Sequence, residues 1–143
     1  MRGWFNDAPN YIPPVPLGGV IRAFAVGKVI ESKHSDFEKG ETVRGHFGWQ
    51  QLAVSDGSDV IRKVTETDLS ASLALGMLGL NGITAYFGLL DVCSPQTNET
   101  VVVSTAAGAV GSCVGQIAKI KGCRTVGITG GPEKVNRCME GFD

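Results

Sequence analysis

Residues 106–111 read Ala-Ala-Gly-Ala-Val-Gly, so Ala106, Gly108 and Gly111 take the spacing A-x-G-x-x-G. This is the rhythm of a dinucleotide-binding turn, with alanine in the usual first glycine position. A small residue at 106 permits a sharp turn. Gly108 has no Cβ, so a pyrophosphate can approach the backbone there. Gly111 lets a following helix lie close to the preceding strand. The start of that helix then presents free N–H groups and the positive end of its dipole to phosphate. The context suits this chemistry. Thr100 to Ser104 (TVVVS) is a short apolar run, expected to be a strand buried on both faces. Val110, Val114, Ile117, Ala118 and Ile120 recur at helical spacing over 110–121. Gly115, one turn on, extends the close packing. Packing of a helix on a sheet is the other use that such small residues have.

The choice of dinucleotide is written further along. A site for a bare ribose 2′-hydroxyl places Asp or Glu about 20 residues past the glycine turn. Here the second strand, Arg124 to Ile128, runs into Thr129-Gly130-Gly131-Pro132-Glu133-Lys134 with no carboxylate at its end. Gly130 and Gly131 leave room for a bulky group, and Lys134 offers positive charge. A 2′-phosphate fits better, which favours NADP; a solvated helix lysine is the competing reading of Lys134.

Other chemistry-bearing residues are sparser. Thr84 and Tyr86 fall on an expected helix, Gly82 to Leu90, where they face either a cofactor or the core. His34 reads as a surface turn residue, and His46 as a packing partner of Trp49. Neither has an identifiable serine or cysteine partner. Cys93, Cys113, Cys123 and Cys138 contain no C-x-x-C pair and lie at no zinc-ligand spacing with the histidines, so no metal site is expected. They read as mostly buried free thiols of a reducing compartment. No catalytic side chain can be named from the sequence.

The elements that must hold the turn divide near Leu69. Before it, Val20–Ile30, Glu41–Arg44, Phe47–Val54 and Val60–Val64 read as short strands parted by glycine turns, a small irregular β-barrel or sandwich. After it come short helices at Ser70–Leu78 and Gly82–Leu90, parted by the Gly-Leu-Asn-Gly of residues 79–82, and a polar loop at Asp91–Glu99. A βαβ unit follows, with a right-handed crossover expected, and Pro132 opens a last helix. The expected domains are 1–69 and 70–143. The whole chain has 143 residues, 20 of them glycine, with 43% hydrophobic residues and a net charge of −1. That charge gives no reason to expect nucleic acid or an anionic membrane as partner. The apolar stretch Leu73–Leu80 is too short to span a bilayer, and the first residues lack the apolar core of a signal peptide, so a cytoplasmic protein is expected.

MRGW near the start, PPVPLGGVIRAFAVGKVIES, GHFGWQQLAVSDGS, GLNGITAYFGLLDV and above all ETVVVSTAAGAVGSCVGQIAKIKGCRTVGITGGPEK resemble the zinc-independent medium-chain dehydrogenases/reductases. The similar branch holds the prostaglandin/leukotriene reductases, alkenal double-bond reductases and curcumin reductases. The resemblance implies an α/β plus β fold: part of a GroES-like β-rich domain followed by the first βαβ unit of a Rossmann domain. It implies NADPH-dependent reduction of the C=C bond of an α,β-unsaturated ketone or aldehyde, with hydride to the β carbon and a proton to the α carbon, and a homodimer for full-length relatives. By position it assigns Gly108, Ala109, Val110 and Gly111 to the pyrophosphate, Lys134 to the adenosine 2′-phosphate with Gly130 clearing space, and Thr84 to the nicotinamide end. Asn81 stands where the family's GMPG turn has proline. Family members carry more chain on both sides, so this sequence reads as a truncated product or fragment. A remnant that binds nucleotide without turnover, and a quinone reductase of the same superfamily, are the alternatives.

Overall fold

The computed structural model describes Phe5 and residues 12–142. The chain falls into two compact units, Met1–Ala71 and Ser72–Asp143.

The first unit is built on an antiparallel three-stranded sheet in the order β1 (Ala25–Lys28), β2 (Thr42–Gly45), β3 (Val60–Lys63). Val26 pairs with Arg44 and Val43 with Lys63, and the register shifts between Arg44 and Gly45. The strands are shorter than the apolar runs suggested. Phe47–Val54 is not a strand. Gly48 takes φ +71, a left-handed conformation, and this turns the chain after two isolated bonds, from the Gly48 N–H to the Ala23 carbonyl and from the Trp49 N–H to the Ile21 carbonyl. A side chain at Gly48 would meet Val20 Cγ1 at 2.6 Å, so only glycine makes this crossing. His46 does not pack on Trp49; its ring lies 4.5 Å from that of Phe24, and Trp49 is exposed. His34 is an exposed turn residue whose Nδ1 accepts from the Asp36 N–H at 3.1 Å.

The second unit opens with a single turn of 3₁₀-helix at Ala71–Leu75, where a longer helix is expected from the apolar spacing. Gly76 and Gly79 stop it: the Gly76 N–H bonds back to Leu73 and the Gly79 N–H to Gly76. Helix α1 (Leu80–Phe87) follows and runs directly into a π-helical segment, Gly88–Cys93, which ends on Ser94 at φ +46. The helix therefore starts earlier and ends later than its apolar pattern suggests, and the loop shrinks to residues 94–99. Gly82 fixes the start of α1. A Cβ at Gly82 would lie 1.7 Å from the Met77 carbonyl oxygen, and one at Gly79 2.4 Å from that of Ala74.

Strand β4 (Thr100–Ser104), helix α2 (Ala109–Ile120) and strand β5 (Arg124–Ile128) form the βαβ unit, and α3 (Pro132–Phe142) begins on its proline. The two strands are parallel and in register, Val102 with Val126 and Ser104 with Ile128. Leu89, Ala118 and Cys123 form the core, with Leu90, Val101, Val114 and Ile117 packed around them. Burying one leucine of this kind contributes roughly 2 kcal/mol. The strands are not buried on both faces. Val101 and Val103 face the helices, whereas Val102 is 60% exposed and Ile128 58% exposed, because the described helices cover one face of the two-stranded sheet. Of the thiols, Cys113 and Cys123 are buried, Cys138 is half-buried and Cys93 is exposed; all are free. Among the described residues no helix is long and apolar enough to cross a membrane, and no group of His, Cys, Asp or Glu could hold a metal ion.

Candidate functional site

The site is built where β4 stops. Thr105 takes φ +53, and its carbonyl turns back to accept the Gly108 N–H at 2.8 Å. Ala106, 1% exposed, drops into the core, and its N–H donates to the Ile128 carbonyl at the end of β5 at 3.1 Å. Gly127 makes space for it: a Cβ there would sit 2.8 Å from the Ala106 methyl group. The turn is thus tied to both strands before the helix begins.

Gly108 is the N-cap of α2, with extended backbone and no side-chain cap. The amides of Ala109, Val110 and Gly111 have no acceptor among the described residues; the Ser112 N–H is the first to close onto the helix, at the Gly108 carbonyl. Orphan amides at a helix start, backed by the dipole, make a cradle for an anion. The glycines are there for steric reasons that involve Thr105. A Cβ at Gly111 would lie 2.4 Å from the Thr105 oxygen and 3.0 Å from Ala106 Cα. At Gly108 it would lie 3.0 Å from that same oxygen and 3.1 Å from Thr105 Cγ2. Gly115 is buried one turn on, and its carbonyl accepts from Thr125 Oγ1 at 3.4 Å.

These orphan amides line a groove of about 450 Å³. Thr84 from α1 and Gly88 and Cys93 from the π-helical segment line it too, with Val102 and Ser104 of β4. Thr84 is exposed, and its Oγ1 donates to the Leu80 carbonyl at 2.7 Å. The structure therefore brings Thr84, Gly108, Ala109, Val110 and Gly111 to one place. Gly130 and Lys134 do not line the groove. They follow the end of β5, which lies beside the end of β4 because Ser104 pairs with Ile128. Gly130 is open, with nothing within 4 Å of a Cβ placed on it, Gly131 has φ +80, and Lys134 is exposed in the first turn of α3. The lining carries no carboxylate, histidine, lysine or arginine; Cys93 is its one ionisable side chain. A larger hollow of about 760 Å³ lies within the first unit, lined by residues of β1, its following turn and residues 50–57, and no helix starts on it.

Two features of the site escape sequence reasoning. Thr105 is one: a β-branched residue carries no signal for a left-handed conformation, and its propensities argue against it. The π-helical segment is the other. Its Leu-Leu-Asp-Val-Cys reads as the end of a helix and a loop, yet the i→i+5 bond from the Ser94 N–H to the Leu89 carbonyl carries the helix on and sets Cys93 on the groove.

A strand–turn–helix anion cradle followed by a second parallel strand is the opening unit of a dinucleotide-binding fold. Comparison with known proteins agrees. Residues 1–63 match the family described as the N-terminal domain of oxidoreductase. The chain is 48% identical to the NADPH-dependent curcumin reductase of Escherichia coli (strain K12), covering 100% of this chain and 42% of that protein. It is 52% identical to prostaglandin reductase 1 of Mus musculus over 82% of this chain and 37% of that one. The crystal structure of CurA in complex with NADPH from Vibrio vulnificus superposes with a TM-score of 0.82 at 45% identity, over 99% of this chain and 42% of that one. Along its length the chain is thus similar to curcumin, prostaglandin and 2-alkenal reductases. It spans about 40% of the length of these relatives.

Proposed function

We propose that this chain binds NADPH at the turn after β4 and belongs to an enzyme that reduces the C=C bond of α,β-unsaturated ketones or aldehydes. The observation that carries the reading is the uncapped start of α2, whose free Ala109, Val110 and Gly111 amides face a groove cleared by glycine. The residues present fit a dinucleotide. The amides take the pyrophosphate, with Gly108 and Gly111 keeping side chains out of its way. Lys134 pairs with the 2′-phosphate, and Gly130 leaves space beside it. Thr84 lies at the nicotinamide end. The relatives named above include an NADPH-dependent enzyme and an NADPH complex, which supports the same cofactor here.

NADPH held here would supply the hydride for reduction of the C=C bond. The part played by this chain is to hold and orient. Its apolar side chains Val102, Val110 and Val114 line the groove beside the free amides. No acid or base of the groove lining is asked to act. A small-molecule enone or alkenal is the substrate class, and a homodimer the expected assembly. The test is NADPH oxidation with a simple enone and, separately, with a quinone. Saturation of the enone C=C bond is the expected result; turnover of the quinone alone would assign the chain to the quinone reductases instead.

A further inference from the structure

Thr105 stands where glycine would make the same turn without strain. Its φ of +53 is left-handed, and a β-branched side chain adopts that conformation only when the surroundings enforce it. The enforced part is visible: the Thr105 carbonyl holds the Gly108 N–H, and the Thr105 methyl lies 3.1 Å from where a Cβ on Gly108 would sit. None of this needs the hydroxyl. Thr105 is nonetheless exposed on the groove, next to the free amides of α2, and its Oγ1 has no hydrogen-bond partner among the described residues. The neighbouring hydroxyls differ. Thr84 Oγ1 donates to Leu80, and Ser112 Oγ to the Ala109 carbonyl. With its methyl toward Gly108, the side chain turns its hydroxyl away from that glycine.

We propose that Thr105 is a further dinucleotide-binding residue, its Oγ1 hydrogen-bonding the sugar–phosphate of the cofactor in the groove. This rests on the dinucleotide reading given above. It explains why a strained threonine occupies a position suited to glycine: the backbone conformation could be had more cheaply, but the hydroxyl could not.

The test is titration of the chain and three variants with NADPH, together with thermal unfolding of each. Thr105→Val keeps the shape and the strain and removes the hydroxyl; NADPH is expected to bind roughly two- to tenfold more weakly, as for loss of one neutral hydrogen bond. Thr105→Ser keeps the hydroxyl and should retain the affinity. Thr105→Gly relieves the strain, so its unfolding temperature should not fall, yet its affinity should drop like that of Thr105→Val. Unchanged affinity in Thr105→Val, or a loss in Thr105→Ser equal to that in Thr105→Val, overturns this inference alone. Absence of NADPH binding by the unsubstituted chain overturns the dinucleotide reading and this inference with it.

Discussion

At the scale of single residues, the turn depends on which atoms are missing. The usual account of Gly108 and Gly111 looks outward, to a ligand that must come close. In this chain both glycines also look inward, to the carbonyl of Thr105. Gly111→Ala therefore does harm before any nucleotide arrives: its methyl would overlap the Thr105 oxygen at 2.4 Å. Such overpacking costs about 1–3 kcal/mol, read as a lower midpoint in thermal unfolding without ligand. A Gly111→Ala chain that melts like the unsubstituted one would show that the turn is slacker than described. The glycine spacing was plain in the sequence, because 3.6-residue periodicity and a preceding apolar run framed it. The inward reason was not, because nothing about a threonine announces a positive φ.

At the scale of elements, the ladder between β2 and β3 carries a pH-dependent clasp. Glu41, just before β2, accepts from Lys63 Nζ at 2.6 Å, and its other oxygen accepts from the Glu38 N–H at 2.9 Å. The Lys63 hydrogen bond first, and the Glu38 N–H second, hold the Glu41 carboxyl below its ordinary value. A depressed carboxylate contributes stability that is present above its unfolded value and is lost as pH falls through the folded one. Lys63→Met should therefore raise the Glu41 titration midpoint toward the ordinary carboxylate range, read by NMR of its side-chain carboxyl. An unmoved midpoint would remove Lys63 as the cause. The elements also mark where sequence pattern gave out. β4, α2 and β5 were legible because apolar runs and helical spacing agreed with flanking glycine and proline. Phe47–Val54 has the composition of a strand, but Gly48 at φ +71 breaks it. Ser70–Leu78 has the spacing of a helix, but Gly76 and Gly79 limit it to one 3₁₀ turn. In each case a glycine conformation, which the sequence permits without specifying, overrode an apolar pattern.

At the scale of the whole molecule, the two units differ in what they offer. The first contributes a short antiparallel sheet and, outside its strands, a segment whose apolar residues Leu52 and Val54 are exposed. The second contributes the only run of orphan helix amides set on a groove among the described residues. The open face of β4 and β5, with Val102 and Ile128 exposed, was unforeseen because a continuous apolar run says only that both faces suit burial, not that both are covered. The groove, by contrast, was readable from residues 106–111, four of which line it. The central claim is that this chain holds NADPH through those amides and Lys134. The most direct measurement is calorimetric titration with NADPH and with NADH at one fixed salt concentration, repeated on Lys134→Ala. The account predicts that NADPH binds about tenfold or more tightly than NADH, and that Lys134→Ala abolishes the difference by weakening NADPH alone, as for a charge-assisted hydrogen bond. Equal affinity for the two nucleotides, or binding of neither, would contradict it.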